Sequence, residues 1–135
     1  MEKTLKRLVR EQLIIDEQEV IKRLLPRIKR LIGLTKDGKI LFIVSRNQVP
    51  KIYQVLLYLV GKRLAHIAEL TESPDASIKE ISNALGFPEN YTRALLSELL
   101  SKGLIKRSDA GLYQVELLKV EEAILLVESK LGESQ

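Results

Sequence analysis

Two glycines, at positions 86 and 103, divide the stretch 77–115 into two helical segments and a pair of short strands. Each glycine follows the last apolar residue of a segment with helical spacing, where a left-handed residue commonly ends a helix. The pattern predicts a short helix before Gly86 and a longer helix over 90–102. Because the turn between them is tight, the two helices have to pack against each other at a steep angle.

The ends of this stretch carry their own local signals. Ser77 and Glu80 have the spacing of a capping box, in which the serine hydroxyl accepts from the Glu80 amide and the glutamate carboxylate accepts from the Ser77 amide. After Gly103, "LIKRS" and "LYQVE" are β-prone and flank "DAG", which predicts a hairpin. The expected contact between the two helices brings together the following side chains: Ala84, Leu85, Leu95, Leu96 and Leu99.

Residues 49–70 form the most apolar segment of the chain, and their apolar positions cover much of the girth of a helix. Such a helix is expected at the centre of the core. Pro50 suits its first turn, where the missing amide proton costs nothing. The segment 71–76, "TESPDA", is predicted to be a loop.

The N-terminal third predicts two helices and a β-prone segment. Residues 2–14 alternate with helical spacing, and Asp16 is a predicted N-cap for a second helix. Pro26 predicts a kink or a break, and Gly33 predicts a left-handed helix stop. The dipeptide "DG" before "KILFIV" predicts either a small hairpin or a single strand after a turn.

A last helix is predicted from residue 117 to about 131, with Leu118, Ile124 and Leu125 on its apolar side. The predicted organisation is a basic helical extension over 1–48, a central domain over 49–116 and a C-terminal helix over 117–135.

Charge is divided unevenly along the chain. Residues 1–70 contain 15 Lys and Arg against 7 Asp and Glu, whereas residues 71–135 contain 7 against 11. A polyanionic partner would therefore be expected to contact the N-terminal half. The many ionic residues beside few oxidisable ones are also typical of thermophilic proteins.

Several classes of function lack their signals. The chain has no cysteine, no apolar run long enough for a membrane span, and no uninterrupted apolar region of a signal peptide. Its one histidine, His66, lies in the apolar central helix without a clustered carboxylate or cysteine, and "GLTKDGK" lacks the spacing of a phosphate-binding loop. We therefore expect a cytoplasmic protein that is not an enzyme, without cofactor or metal.

The order helix, short segment, helix, turn, helix, strand, turn, strand over residues 49–116 resembles the winged helix-turn-helix family of DNA-binding proteins. The resemblance rests on "SIKEISNALGFPENYTRALLSELLSKGLIKRSDAGLYQV". It implies a mainly α fold with a small β-hairpin wing, here extended by N-terminal and C-terminal helices.

The resemblance also implies that helix 90–102 enters the major groove of double-stranded DNA and that the hairpin 104–116 contacts the backbone or the minor groove. Arg93 would then form two hydrogen bonds with guanine and Asn90 two with adenine. Tyr91 and Thr92 would reach a phosphate or a thymine methyl group. The implied contacts on the helix and the wing are Asn90, Tyr91, Thr92, Arg93, Ser97, Lys106, Arg107 and Ser108.

Cations of the N-terminal half are expected to add phosphate contacts that weaken with salt. Those assigned to DNA are Lys3, Lys6, Arg7, Arg10, Lys29 and Arg30. The competing interpretation is a solvated charged face, or one that pairs with the acidic half of the chain.

The apolar side of helix 2–14 needs a partner, and a second subunit is the simplest one, with helix 117–131 as a second candidate for the interface. The alternative is that either helix folds back on its own core. Like many winged-helix regulators of archaeal or bacterial type, the chain is therefore predicted to be a transcription regulator that forms a homodimer through terminal helices. The alternative function is a winged-helix adaptor that binds another protein in a replication, transcription or membrane-remodelling assembly. A weaker third interpretation is a small-molecule sensor with a pocket framed by "TKDGKILFIV".

Overall fold

A computed structural model describes residues 2–133 and the side chains of residues 4–132. This part of the chain is mainly helical and contains two short antiparallel hairpins, so the predicted fold class is confirmed at that level. Its elements are α1 Glu2–Leu13, α2 Glu17–Ile28, β1 Ile32–Leu34, β2 Ile40–Phe42, a 3₁₀ helix Arg46–Gln48, α3 Lys51–Ile67, α4 Ile78–Leu85, α5 Glu89–Ser101, β3 Lys106–Arg107, β4 Tyr113–Gln114, a 3₁₀ helix Leu117–Lys119 and α6 Val120–Glu133.

Helix α3 lies at the centre of the core, as its composition predicts. Every residue from 54 to 61 is buried, so the helix has no solvent-facing side over these two turns. Helices α2, α4, α5 and α6 and both hairpins supply the side chains around it. Buried residues come from all three predicted segments, for example Ile28, Leu96 and Ile124, and they form one core. The boundaries at 48 and 116 stay a prediction.

The first hairpin, β1–β2, decides between the two alternatives for "TKDGKILFIV". Ile32 pairs with Phe42 and Leu34 with Ile40, and the turn between them contains Gly38 at φ 86°. The Thr35 hydroxyl donates to the Asp37 carboxylate, and this hydrogen bond lowers the pKa of Asp37.

The structure corrects the expectation for Gly33, and for Pro26 it excludes the break but does not test the kink. Gly33 does not end a helix: it lies inside β1 and its φ is not positive. Helix α2 continues through Pro26 and ends two residues later at Ile28, with Lys29 as the C-cap, so the break does not lie at the proline. Asp16 is the N-cap as predicted, since its carboxylate accepts from the amides of Gln18 and Glu19.

The second hairpin, β3–β4, has the predicted position and pairs Lys106 with Gln114 and Arg107 with Tyr113. Ala76, in the segment predicted to be a loop, also pairs with Tyr113: each amide donates to the other residue's carbonyl at 2.9 Å. The chain before α4 thus lies beside β4 as a one-residue third strand.

Helix α6 packs on α2 and α3, but its buried side differs from the predicted one. Leu118 and Leu125 are half exposed, whereas Ile124 is buried as expected. The buried set follows a different helical stripe: Val120, Ala123, Ile124 and Val127. Within residues 2–133, no helix has the length and apolar character needed to cross a membrane.

Candidate nucleic-acid interface

Helix α5 is held by its apolar side. Leu95, Leu96 and Leu99 are buried against α3 and α4. Successive residues of a helix are about 100° apart, so the side opposite these leucines carries Asn90, Arg93 and Ser97 at spacings of three and four. All three are exposed. Burial of one side therefore fixes the outward direction of this polar stripe.

Thr92 is a correction to the predicted interface. The residue is fully buried, its Oγ1 accepts from the Ser82 hydroxyl at 2.8 Å, and it donates to the Pro88 carbonyl at 3.1 Å. It joins α5 to α4 and cannot reach a phosphate or a thymine methyl group. The predicted inward contact of Ala84 is also wrong, since Ala84 is exposed whereas Leu85 is buried.

The polar side chains of the outward stripe differ in whether they already form hydrogen bonds or ion pairs within the chain. Arg93 makes no hydrogen bond or ion pair within the described part of the chain. The Asn90 Oδ1 accepts from the Tyr91 amide at 3.0 Å, which leaves its amide nitrogen for other contacts. Glu89 and Glu98 are exposed on the two flanks of the stripe, about 80–100° away from its centre.

Tyr91 belongs to an aromatic and cationic cluster at the start of α5. Its ring meets the Phe87 ring edge to face at 5.7 Å between centroids. The Lys51 Nζ lies 5.6 Å from the Tyr91 centroid and 5.9 Å from the Phe87 centroid. Lys51 is exposed, so the rings hold an ammonium group beside the N-terminus of α5. Sequence reasoning missed Lys51, because only the folded chain brings residues 51, 87 and 91 together.

Arg46 fixes this cluster from behind. Its guanidinium lies over the Phe42 and Phe87 rings, and it donates to the Leu85 carbonyl at 2.6 Å and to the Gln54 Oε1 at 2.8 Å. The buried Gln54 amide in turn donates to the carbonyls of Arg46 and Val49, both at 2.9 Å. The network ties the loop before α3 to the last turn of α4. Its one sequence signal is Gln54, a polar residue within an otherwise apolar run.

The side chains of the β3–β4 hairpin are partly engaged. The Lys106 Nζ lies 3.3 Å from a Glu116 carboxylate oxygen, and Arg107 lies over the Tyr113 ring at 6.0 Å. Both cations are exposed. The Ser108 hydroxyl accepts from the Leu112 amide at 3.2 Å and so closes the turn. Among the three predicted wing contacts, Arg107 is the one with an exposed charge and no described ion pair.

The predicted N-terminal contacts lie on other elements. The side chain of Lys3 is outside the described residues. Lys6 and Arg10 are exposed on α1, and Arg7 lies 3.6 Å from Glu11 on the same helix. Lys29 and Arg30 are exposed between α2 and β1. No described hydrogen bond, ion pair or ring contact joins these cations to α5, which packs on α3 and α4.

Two arginines of the N-terminal half instead form hydrogen bonds with distant parts of the chain. The Arg27 guanidinium donates to both carboxylate oxygens of Glu128 at 3.1 and 2.5 Å, and this hydrogen bonding raises the pKa of Arg27. Arg63 donates to the Val115 carbonyl at 2.9 Å and to the Gln114 side chain, and burial lowers its pKa. Both guanidinium groups therefore already have partners within the fold.

The capping box at α4 is formed only in part. The Glu80 amide donates to the Ser77 hydroxyl at 3.0 Å as predicted. The Glu80 carboxylate instead accepts from the Tyr58 hydroxyl at 2.7 Å and lies 3.1 Å from the Lys62 Nζ. Burial raises the pKa of Tyr58, and the hydrogen bond to Glu80 raises it further. This contact ties α4 to α3.

Potential metal ligands are dispersed over the described residues. Within them no group of three or more His, Cys, Asp or Glu side chains is arranged to hold a metal ion. His66 is half-buried, and its Nδ1 lies 3.3 Å from the Thr71 carbonyl.

Comparison of the chain with protein-family models, curated proteins and solved structures finds no match.

Proposed function

We propose that the protein binds double-stranded DNA as a dimeric transcription regulator of the winged helix-turn-helix type, with α5 in the major groove and the β3–β4 hairpin on the backbone. One observation carries this proposal: the stripe of Asn90, Arg93 and Ser97 faces solvent because the opposite side of α5 is buried. A regulator of this kind works in the cytoplasm.

The order of elements supports the winged-helix part of the proposal. Helix α3 is followed by the Ala76 bridge, α4, the turn at Gly86, α5 and the hairpin. The resemblance implies the same order, with Ala76 at the position of its short segment. Gly86 has φ 75° and ends α4 in the left-handed conformation, which lets the chain turn directly into α5. Folds host many activities, so the side chains of α5 have to carry the functional argument.

Each outward group has a distinct role in this proposal. Arg93, without a described partner, would donate two hydrogen bonds to one guanine. Arg107 and Lys106 would contact backbone phosphates, and exposed cations of α1 and of the segment 29–30 would add salt-dependent attraction. Glu89 and Glu98 lie beside the stripe, so they limit the affinity without blocking the contact.

Binding to labelled duplex fragments of genomic DNA, measured by fluorescence anisotropy at several salt concentrations, tests the proposal. Arg93→Ala is expected to weaken binding by about 1–3 kcal/mol and to relax sequence preference, because it removes a base contact. The double variant Lys106→Ala, Arg107→Ala is expected to lower the salt slope by about one for each phosphate that is no longer neutralised.

Lys102→Ala is the matched control, because it removes one exposed cation from the end of the same helix but away from the stripe. It is expected to change affinity less than Arg93→Ala does. Equal losses in the two variants would indicate a general electrostatic attraction, and unchanged binding in all of them would refute the assignment of α5.

The adaptor function is favoured by the two carboxylates that flank the stripe. If α5 faces phosphates, Glu98→Gln removes a repulsion and is expected to strengthen DNA binding severalfold. If α5 grips a basic protein surface, the same change weakens that contact and leaves DNA binding unaltered. One conservative variant therefore separates the two functions.

A further inference from the structure

Helix α1 exposes an apolar stripe that nothing in the described structure covers. Its aliphatic side chains and those of the following linker are between 42% and 71% exposed. They are Leu5, Leu8, Val9, Leu13, Ile14 and Ile15. Positions 5, 8, 9 and 13 share one side of the helix, whereas Arg7 and Arg10 lie about 120–180° from the centre of that side.

The same chain carries an apolar groove between α2, β1 and the end of α3. The groove encloses about 580 Å³, and Ile21, Leu25 and Ile67 line it together with residues of β1. A second hollow of about 510 Å³ shares these three side chains and extends the groove to Leu117. Leu25 and Ile67 remain nearly half exposed, so the groove is a large apolar surface in contact with water.

We propose that α1 of one copy lies in this groove of a second copy, and that the second copy returns the same contact. The inference rests on the homodimer of the proposed function and specifies its surfaces. The dimensions agree: the groove follows α2 from Gln18 to Lys29, about 17 Å, and the twelve residues of α1 span about 18 Å.

The lysines at the edge of the groove need not be buried in this arrangement. The lysines at the rim of the groove, Lys22 and Lys29, are exposed and can keep their ammonium groups in water while their stems cover apolar surface. With the stripe of α1 turned into the groove, Arg7 and Arg10 point outward. The dimer contact thus leaves those two proposed DNA-contacting cations in solvent.

A second copy fits better than the chain's own α1. Every described side chain of α1 is exposed, so the helix projects away from its own body. Only three residues, 14–16, separate α1 from α2, and Asp16 is held as the N-cap of α2. A stable interface covers about 800 Å² on each partner. Twofold symmetry uses the helix-in-groove contact twice and so doubles the area that one contact contributes.

Charge replacement at the two surfaces tests this arrangement through the mass of the full chain in solution, measured by light scattering after size exclusion. Leu8→Lys and Leu25→Glu each place a charge in the contact, so each variant alone is expected to lose the dimer mass. A mixture of the two is expected to recover it, because one helix-in-groove contact then pairs the charges and the other is unchanged.

Leu41→Glu is the matched control, since Leu41 is a half-exposed leucine outside the groove. It is expected to keep the dimer mass. Circular dichroism of all variants confirms that loss of mass is not loss of fold. Pairing of α1 with α1 would instead leave Leu25→Glu dimeric, and a monomeric parent chain would overturn the proposal outright.

Crosslinking gives a second, independent measurement, because the chain has no cysteine. Leu8→Cys and Leu25→Cys chains, mixed and oxidised, are expected to form the mixed disulfide. A disulfide that joins only two Leu8→Cys chains, or an internal disulfide in the double variant, would contradict the exchange of α1 helices between the grooves of two copies. DNA is absent from these measurements, so their failure is distinguishable from failure of the Arg93→Ala binding test.

Discussion

Helices α5 and α1 have nearly the same length and are both amphipathic, yet they differ in what their apolar sides contact. The leucines of α5 are buried against α3 and α4, whereas the aliphatic residues of α1 face water. An amphipathic pattern therefore establishes that a helix needs a partner surface, and it leaves open whether that surface belongs to the same molecule.

This difference has a functional consequence. The core fixes the rotation of α5 about its axis, so Arg93 has one direction in which to point. The core does not fix the rotation of α1, because every described side chain of that helix is exposed. Under the proposed exchange, Arg7 and Arg10 would therefore be positioned by the dimer, whereas Arg93 is positioned within each chain.

The largest expected effect is a difference in stability between two leucine truncations, one on the apolar side of α5 and one on that of α1. Leu96→Ala removes a fully buried side chain of α5 and is expected to lower the free energy of unfolding by about 2–5 kcal/mol. Leu8→Ala on α1 is expected to change it by less than about 0.5 kcal/mol at concentrations where the chain is monomeric. Urea unfolding followed by circular dichroism measures both, and similar losses would show that α1 is part of the monomer core.

A smaller loss of stability is expected when the Arg46 network beside α4 and α5 is broken. Arg46→Met keeps much of the side-chain stem but leaves the buried Gln54 Oε1 and the Leu85 carbonyl without this donor. We expect a loss of about 2 kcal/mol in the free energy of unfolding, the usual cost of an unsatisfied buried polar group. Arg93→Met is the control, because Arg93 is exposed and has no described partner. If both cost the same, the Arg46 network does not hold α4 and α5 in place.

The order of elements over residues 49–116 could be predicted because its signals are local. Glycines at 86 and 103, a cap at Ser77 and a turn at "DAG" each act on a few neighbouring residues. For β1–β2 the sequence leaves a hairpin and a single strand as alternatives, and it predicts the wrong role for Gly33. An apolar residue after a glycine is typical of a helix stop, but pairing with β2 overrides that preference here.

The side chains of the candidate interface were harder to predict, because their roles depend on distant contacts. Arg27, Arg46 and Arg63 resemble free cations in the sequence, and only the fold supplies Glu128, Gln54 and the Val115 carbonyl as their partners. The sequence prediction for Thr92 is wrong although positions 92, 95, 96 and 99 have the spacing of a buried side. Because Thr92 carries a hydroxyl, it does not count among the apolar positions that define this side.

Thr92 gives the next prediction. Thr92→Val keeps the shape but removes the acceptor for the Ser82 hydroxyl, so we expect a loss of about 1–2 kcal/mol in the free energy of unfolding. Ser97→Ala, on the outward stripe of the same helix, is expected to change it by less than about 0.5 kcal/mol. Chemical denaturation of the two variants measures this contrast between the sides of α5. The reverse order would mean that the helix is rotated from the position described here.

The smallest expected effect concerns the support of α4, on which α5 packs, and it depends on pH. Tyr58→Phe removes the hydrogen bond to Glu80 and is expected to cost about 1 kcal/mol at neutral pH. Tyr91→Phe, which removes an exposed hydroxyl without a described hydrogen bond, is the control at that pH.

Because burial raises the pKa of Tyr58 above its usual value of 10.0, the contribution of this group is present below that pH. As the pH rises further, the unfolded chain releases the proton first, and the contribution is lost by up to about 1.4 kcal/mol per pH unit. The stability advantage of the parent chain over Tyr58→Phe should therefore shrink above about pH 10 in denaturation series. A difference that stays constant through this range would mean that Tyr58 ionises equally easily in both states, which would contradict its burial beside Glu80. In that case the support of α4, on which α5 packs, would rest on the remaining contacts at this junction, among them the Lys62–Glu80 pair.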